Sequence, residues 1–126
     1  MKFPTVPQEY ASVSLRIMVG FIFITHGLAR LYYSSISNFG EFLNAKGLMF
    51  GIAFAWIITI GEIISGTFLM SGYKVKYCAL FHILIILSGI FLVHLPKGWF
   101  VVGHGSGGAE YSFLILGVLF YLYNKK

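Results

Sequence analysis

Apolar residues fill four stretches of the chain, about 12–31, 47–70, 77–95 and 108–123, and polar residues gather between them. A bilayer crossing needs roughly 20 apolar residues, which the first three stretches supply. Each is predicted to be a helix, because an isolated span in lipid can satisfy its backbone only within itself. Gly72 ends the second stretch and Pro96 stops the third. The fourth is short, so it is expected to begin in the glycine-rich segment before it or to sit in a locally thinned bilayer. The pattern predicts an all-α integral membrane protein, a four transmembrane helix bundle forming a single domain over 1–126.

Composition agrees with the pattern. The chain is 58% hydrophobic, 18% aromatic and 10% charged, with no Asp. A soluble domain carries about a quarter charged residues. Mean hydropathy is +0.84. The net charge of +5 is read as the Lys and Arg that flank membrane spans. No basic run with interleaved aromatics exists, which argues against nucleic acid as a partner. The single cysteine, Cys78, excludes an internal disulfide and C-x-x-C chemistry. The apolar run from Ile17 is preceded by Glu9 and Arg16, and no small-residue cleavage site precedes Arg30, so this stretch is expected to be a retained span.

Positive charge sets orientation. Lys2, Arg16, Lys74, Lys76, Lys125 and Lys126 fall on one side, against Arg30, Lys46 and Lys97 on the other, where Glu41 offsets them. Both termini are therefore expected in the cytoplasm. Tyr10, Tyr32, Tyr33, Trp99, Tyr121 and Tyr123 lie near span ends, where an aromatic belt forms.

Glu62 is the sole charge of the second stretch. A central acidic residue costs ~2.5–3.5 kcal/mol on insertion scales, so it calls for a partner or a function. Arg16, about one turn inside the same end of the first stretch, is the expected partner, and an Arg–carboxylate pair would account for both. A protonated Glu62 acting as a relay or ligand contact is the alternative. Gly51, Ala55, Glu62 and Gly66 recur near helical spacing, and such small residues let helices approach in lipid.

The opposite end holds His26, Arg30, His94, Trp99, His104 and Glu110, the candidate ligand-binding set. His26 and Arg30 are four apart and share a helix face. Each also has a structural reading: Arg30 can snorkel to headgroups, Glu110 can complement a helix dipole, and a His at a span end can bond a loop carbonyl. His82 lies about 18 Å along the helix from His94, so the two cannot share a ligand. It is expected to bond another helix or Glu62. His26 and His94 have roughly matching depth, and two such His can ligate a haem, although no spacing demands it. A metal held by His26, His94, His104 and Glu110 would need a geometry that spacing does not supply. The sequence GHGSGG at 103–108 matches G-x-G-x-x-G, but the fingerprint needs a preceding strand, and here an apolar helix precedes it.

Three segments resemble the DoxX family of small four-span bacterial membrane proteins. LRIMVGFIFITHGLARL (15–31) is similar to its pattern of an Arg, G-x-x-F, then a Gly three before a basic residue. GEIISGTFLMSGY (61–73) resembles its E-x-x-x-G followed by L-x-x-G. HLPKGWFVVGHGSGGAEYSFLIL (94–116) resembles its H-x-P-x-G-F-F and glycine-rich G-G-x-E-Y. Arg16, Glu62, His94 and Glu110 match motif positions. Arg30 stands where Lys is common and Trp99 where Phe is common. The resemblance implies a multi-pass protein of the bacterial cell (inner) membrane with a role beside redox enzymes. The family's names come from a terminal quinol oxidase and a thiosulfate:quinone oxidoreductase.

The leading expectation is an accessory or quinone-interacting subunit of a membrane oxidoreductase complex. In that reading His26, Arg30 or His94 bonds the quinone carbonyls, and Glu62 or Glu110 moves the proton. The alternatives are a non-catalytic assembly or interaction subunit, and a small-molecule carrier that would act as a homo-oligomer.

Overall fold

The computed structural model describes residues 1–125; Lys126, counted above among the basic residues, lies outside them. The described residues form helices and loops, with no strand among them. Helix α1 spans Gln8–Tyr32, α2 Ile36–Ala45, α3 Gly51–Ser71, α4 Val75–Gly89 and α5 Glu110–Asn124. A π-helical turn, Ile90–His94, and a 3-10 turn, Leu95–Lys97, continue α4. Three helices are long and apolar enough to cross a membrane: Gln8–Tyr32, Gly51–Ser71 and the continuous Val75–Lys97. Helix α5 has 15 residues and begins at Glu110, two residues after the expected start.

The α3 boundary also moved. The second span, expected from 47, begins at Gly51, because Gly47 (φ 94) and Phe50 (φ 59) hold the chain in a left-handed turn. At the other end Gly72 stops α3 as expected. Its φ of 84 places it in the left-handed region, and Tyr73 N–H donates to Phe68 O at 2.9 Å. This is the Schellman closure, which needs a residue without a Cβ at that position.

Helix α1 packs along α3 in the antiparallel sense, and glycines set the distance. A Cβ on Gly20 would lie 2.6 Å from Gly66 O, and one on Gly27 would lie 2.6 Å from Ile63 Cγ1. Lipid offers no hydrophobic gain for bringing helices together, so van der Waals contact at small residues carries the association. Helix α2 is the element the apolar pattern did not announce. It lies on the N-terminal end of α3, with Gly40 against Ile52, and Asn44 Oδ1 accepts from Gly51 N–H at 2.8 Å. Ile36, Leu43 and Ala55 form the small core beneath it.

The main core joins all four long helices through Val19, Phe23, Leu69, Ala79, Ile115 and Leu119. Outside it, Met18, Phe21, Ile57, Leu84, Phe113 and Phe120 are each more than half exposed. Lipid is the solvent in which such a surface is stable.

A candidate polar site between α1 and α3

Arg30 Nη1 donates to Glu62 Oε2 at 2.9 Å. The carboxylate side chain is 4% exposed and the guanidinium 21%. Glu62 therefore has a partner, but the expected one, Arg16, is replaced by Arg30. The helix register gives the reason. Gly20 faces Gly66 and Gly27 faces Thr59 and Ile63, so Glu62 lies level with the middle of this interval of α1. Arg16 lies about eight residues, or ~12 Å, from that level. Helical side chains also lean toward their own N-terminus. Arg30 thus reaches back to Glu62, whereas Arg16 leans away. Arg16 instead rests beside Gly72, where a Cβ would come within 3.0 Å of its Nη2, and its Nε is buried without a hydrogen-bond partner.

Two further groups frame the pair. The Phe39 ring of α2 stands 4.8 Å from Arg30 Cζ, in cation–π position. His26, one turn before Arg30, is exposed on α1 and lies near the level of Glu62 by the Gly20–Gly66 and Gly27–Ile63 register. The pair is not saturated. Arg30 has five N–H donors, and Nη1 alone bonds a described residue. Glu62 Oε1 accepts no hydrogen bond from the described residues, yet it is not among the sealed unpartnered atoms.

The remaining candidates lie elsewhere. His94 Nδ1 and Gly107 O are 2.8 Å apart, so the ring ties the π-helical turn to the glycine-rich loop. Glu110 Oε1 accepts from Val101 N–H at 2.8 Å. Ala109 N–H and Glu110 N–H donate to Gly98 O and Trp99 O, both at 3.0 Å, which closes the loop onto itself. Trp99 packs edge-on to Phe113, and the exposed His104 packs edge-on to Phe100. The expected common depth of His26 and His94 does not hold. His82 contacts Ser65, which fixes α4 against α3, and His94 is about nine residues, ~13 Å, beyond the level of Glu62. The six candidate residues thus divide into a set on α1, His26 and Arg30, and a set around the glycine-rich loop, His94, Trp99, His104 and Glu110. Among the described residues no group of three or more His, Cys, Asp or Glu is arranged to hold a metal.

His82 is fully buried where α1, α3 and α4 meet. Its Nε2 lies 2.7 Å from Ser65 Oγ, and its ring stacks on Phe23 at 3.7 Å between centroids. It bonds another helix, as expected, through Ser65 rather than Glu62. Its Nδ1 has no partner. Phe39, Ser65 and Phe23 had not been singled out. Ile36, Phe39, Gly40 and Leu43 follow the i, i+3, i+4, i+7 spacing of an amphipathic helix, a signal that could have revealed α2 and with it Phe39.

The DoxX family model matches residues 11–95. The chain belongs to the DoxX family. The match runs from α1 to the 3-10 turn, so it contains His26, Arg30, Phe39, Glu62 and His82 and stops before the latched loop. This DoxX protein is a membrane protein of apolar helices. No curated protein and no solved structure matches it.

Proposed function

We propose that this DoxX protein is a quinone-interacting accessory subunit of a membrane oxidoreductase system, and that the quinone head docks at Arg30, Glu62 and His26. The observation that carries the reading is the unsaturated pair: Glu62 Oε1 and most Arg30 donors have no described protein partner, beside an exposed His26. A quinone carbonyl accepts hydrogen bonds, which Arg30 and His26 can donate. Reduction to the quinol takes two electrons, supplied by the partner enzyme, and two protons. Glu62 can relay a proton to the oxygen that Arg30 polarises, and intramembrane carboxylates commonly serve this role. Phe39 lies against the guanidinium and limits its motion.

The same reading makes α5 a fourth span, with both termini cytoplasmic in a bacterial inner membrane. Ser112, Ile115, Leu119 and Leu122 form its buried stripe, and Phe113, Leu114 and Phe120 face outward. Fifteen residues give about 22 Å of helix, so the bilayer thins or α5 sits off centre. The basic residues at the α3–α4 turn and the C-terminus support the orientation.

The test is the quinone content of protein isolated in mild detergent with its partners, measured by solvent extraction and chromatography. Near-stoichiometric quinone is expected in the natural chain, with a roughly tenfold loss in His26→Ala, about the effect of one hydrogen bond of 1.4 kcal/mol. An empty, inactive preparation with every partner present would sink the proposal. If partners co-purify unchanged with His26→Ala and no quinone is ever found, the assembly-subunit reading takes its place.

A further inference from the structure

A second feature lies on the opposite side of α3. A groove of about 310 Å³ runs between α3 and α4, walled by Ile64, Phe68, Tyr77, Cys78 and Phe81, with Lys74 at its mouth. Gly61 makes room for it: a Cβ there would lie 2.4 Å from Phe81 Cζ, so the ring sinks toward α3. Ile64 and Tyr77 are exposed, so the groove opens sideways to the bilayer. The walls are apolar and suit hydrocarbon.

The mouth is basic. Lys74 lines it and forms no salt bridge among the described residues, whereas the Lys76 ammonium lies 5.3 Å from the Tyr123 ring centroid on α5. The four acidic residues are Glu9, Glu41, Glu62 and Glu110. Glu62 is paired with Arg30, Glu41 is on α2 and Glu110 begins α5, so Glu9 alone belongs to this end of the bundle. Lys74 has φ 49, in the left-handed region where Gly or Asn is the easier residue. Lysine at this position sets an ammonium at the mouth of the groove, where a phospholipid headgroup would sit.

We propose that the α3–α4 groove is a binding site for one anionic phospholipid, with an acyl chain against Phe68 and Phe81 and the phosphate at Lys74. Charge complementarity decides the occupant. A zwitterionic lipid fits the apolar walls equally well but gains no net attraction from Lys74, which forms no salt bridge among the described residues. A quinone tail also fits the walls but carries no charge for Lys74 to meet. The site is independent of the Arg30–Glu62 pair.

Photocrosslinking tests this directly. The full-length protein is reconstituted in vesicles with a diazirine-tailed phosphatidylglycerol or phosphatidylcholine, irradiated, and the adducts are mapped by peptide mass spectrometry. Adducts between Ile64 and Phe81 are expected, with the anionic probe favoured about fivefold, the attraction of one lysine near a membrane surface. Lys74→Glu should abolish the preference, while Lys125→Glu, at the same membrane end but outside the groove, should leave it. Ile64→Trp, at an exposed wall position, should reduce labelling by both probes while the unfolding temperature holds. Equal labelling by the two probes, adducts spread evenly around the bundle, or a preference that survives Lys74→Glu would each overturn the proposal.

Discussion

Two polar regions on this chain each contain a glutamate, and they use it differently. Glu62 is buried in α3 and meets a guanidinium, leaving one carboxylate oxygen without a described protein partner. Glu110 begins α5 and accepts from the Val101 backbone N–H of its own loop. The Arg30–Glu62 contact joins two helices across 32 positions of sequence, the Glu110 contact spans nine. The first depends on charge in a medium that penalises it. The second depends on a hydrogen-bond acceptor in an exposed loop contact, where solvent can substitute. Charge should therefore matter at Glu62, and mere acceptor geometry at Glu110.

The largest expected effect comes from leaving Glu62 without its cation. Arg30→Ala should destabilise the fold by on the order of 3 kcal/mol, because breaking a buried pair strands a charge. Unfolding titrations in mixed micelles measure this. Arg30→Met combined with Glu62→Leu should recover most of the loss, since apolar replacement of both partners is often neutral. The double variant then separates stability from function: it should fold and retain no quinone. If Arg30→Ala unfolds at the same denaturant level as the natural chain, Glu62 is not held as an ion, and the contrast with Glu110 disappears.

His82 offers a second probe, because it is a polar residue in the same interior without a charge partner. His82→Phe should be close to neutral. It keeps the stacking surface against Phe23, removes the partnerless Nδ1, and leaves Ser65 Oγ bonded to Gly61 O on its own helix. His82→Ala should cost about 2 kcal/mol or more, the range for emptying a buried side chain. The same unfolding titrations measure both. Equal losses in the two variants would mean that the bond to Ser65, not the ring, holds α3 to α4.

The sequence carried much of the fold and less of the site. Apolar length announced α1, α3 and α4, because a bilayer imposes one backbone solution on such segments. Gly72 announced a helix end because only a left-handed residue closes a Schellman turn cheaply. Glu62 announced itself as a costly charge. Its partner was not legible, because choosing between Arg16 and Arg30 requires the α1–α3 register, which is set by the contacts of Gly20 with Gly66 and Gly27 with Ile63. One-dimensional spacing gives the periodicity of each helix and not the offset between two. Helix α2 was hidden for another reason: at ten residues it is too short for a span. The shared depth of His26 and His94 failed because end-to-end alignment of spans ignores the offset that Ser65 and His82 impose on α3 and α4.

The smallest expected effects belong to the loop. Glu110→Gln retains an oxygen that can accept from Val101 N–H, so stability should change by less than about 0.5 kcal/mol, within the range of ordinary surface substitutions. His94→Ala removes the link to Gly107 O and should cost about 1 kcal/mol, the net value of one hydrogen bond. Because the contact is between the π-helical turn and the loop, the loss should stay there. Hydrogen exchange should quicken at Gly108, Ala109 and Glu110, whose N–H groups donate to Phe100, Gly98 and Trp99. Exchange along α3 around Glu62 should stay as it is. Faster exchange spreading into α3 would mean that the loop and the Arg30–Glu62 pair are coupled, and that the two glutamates belong to one site after all.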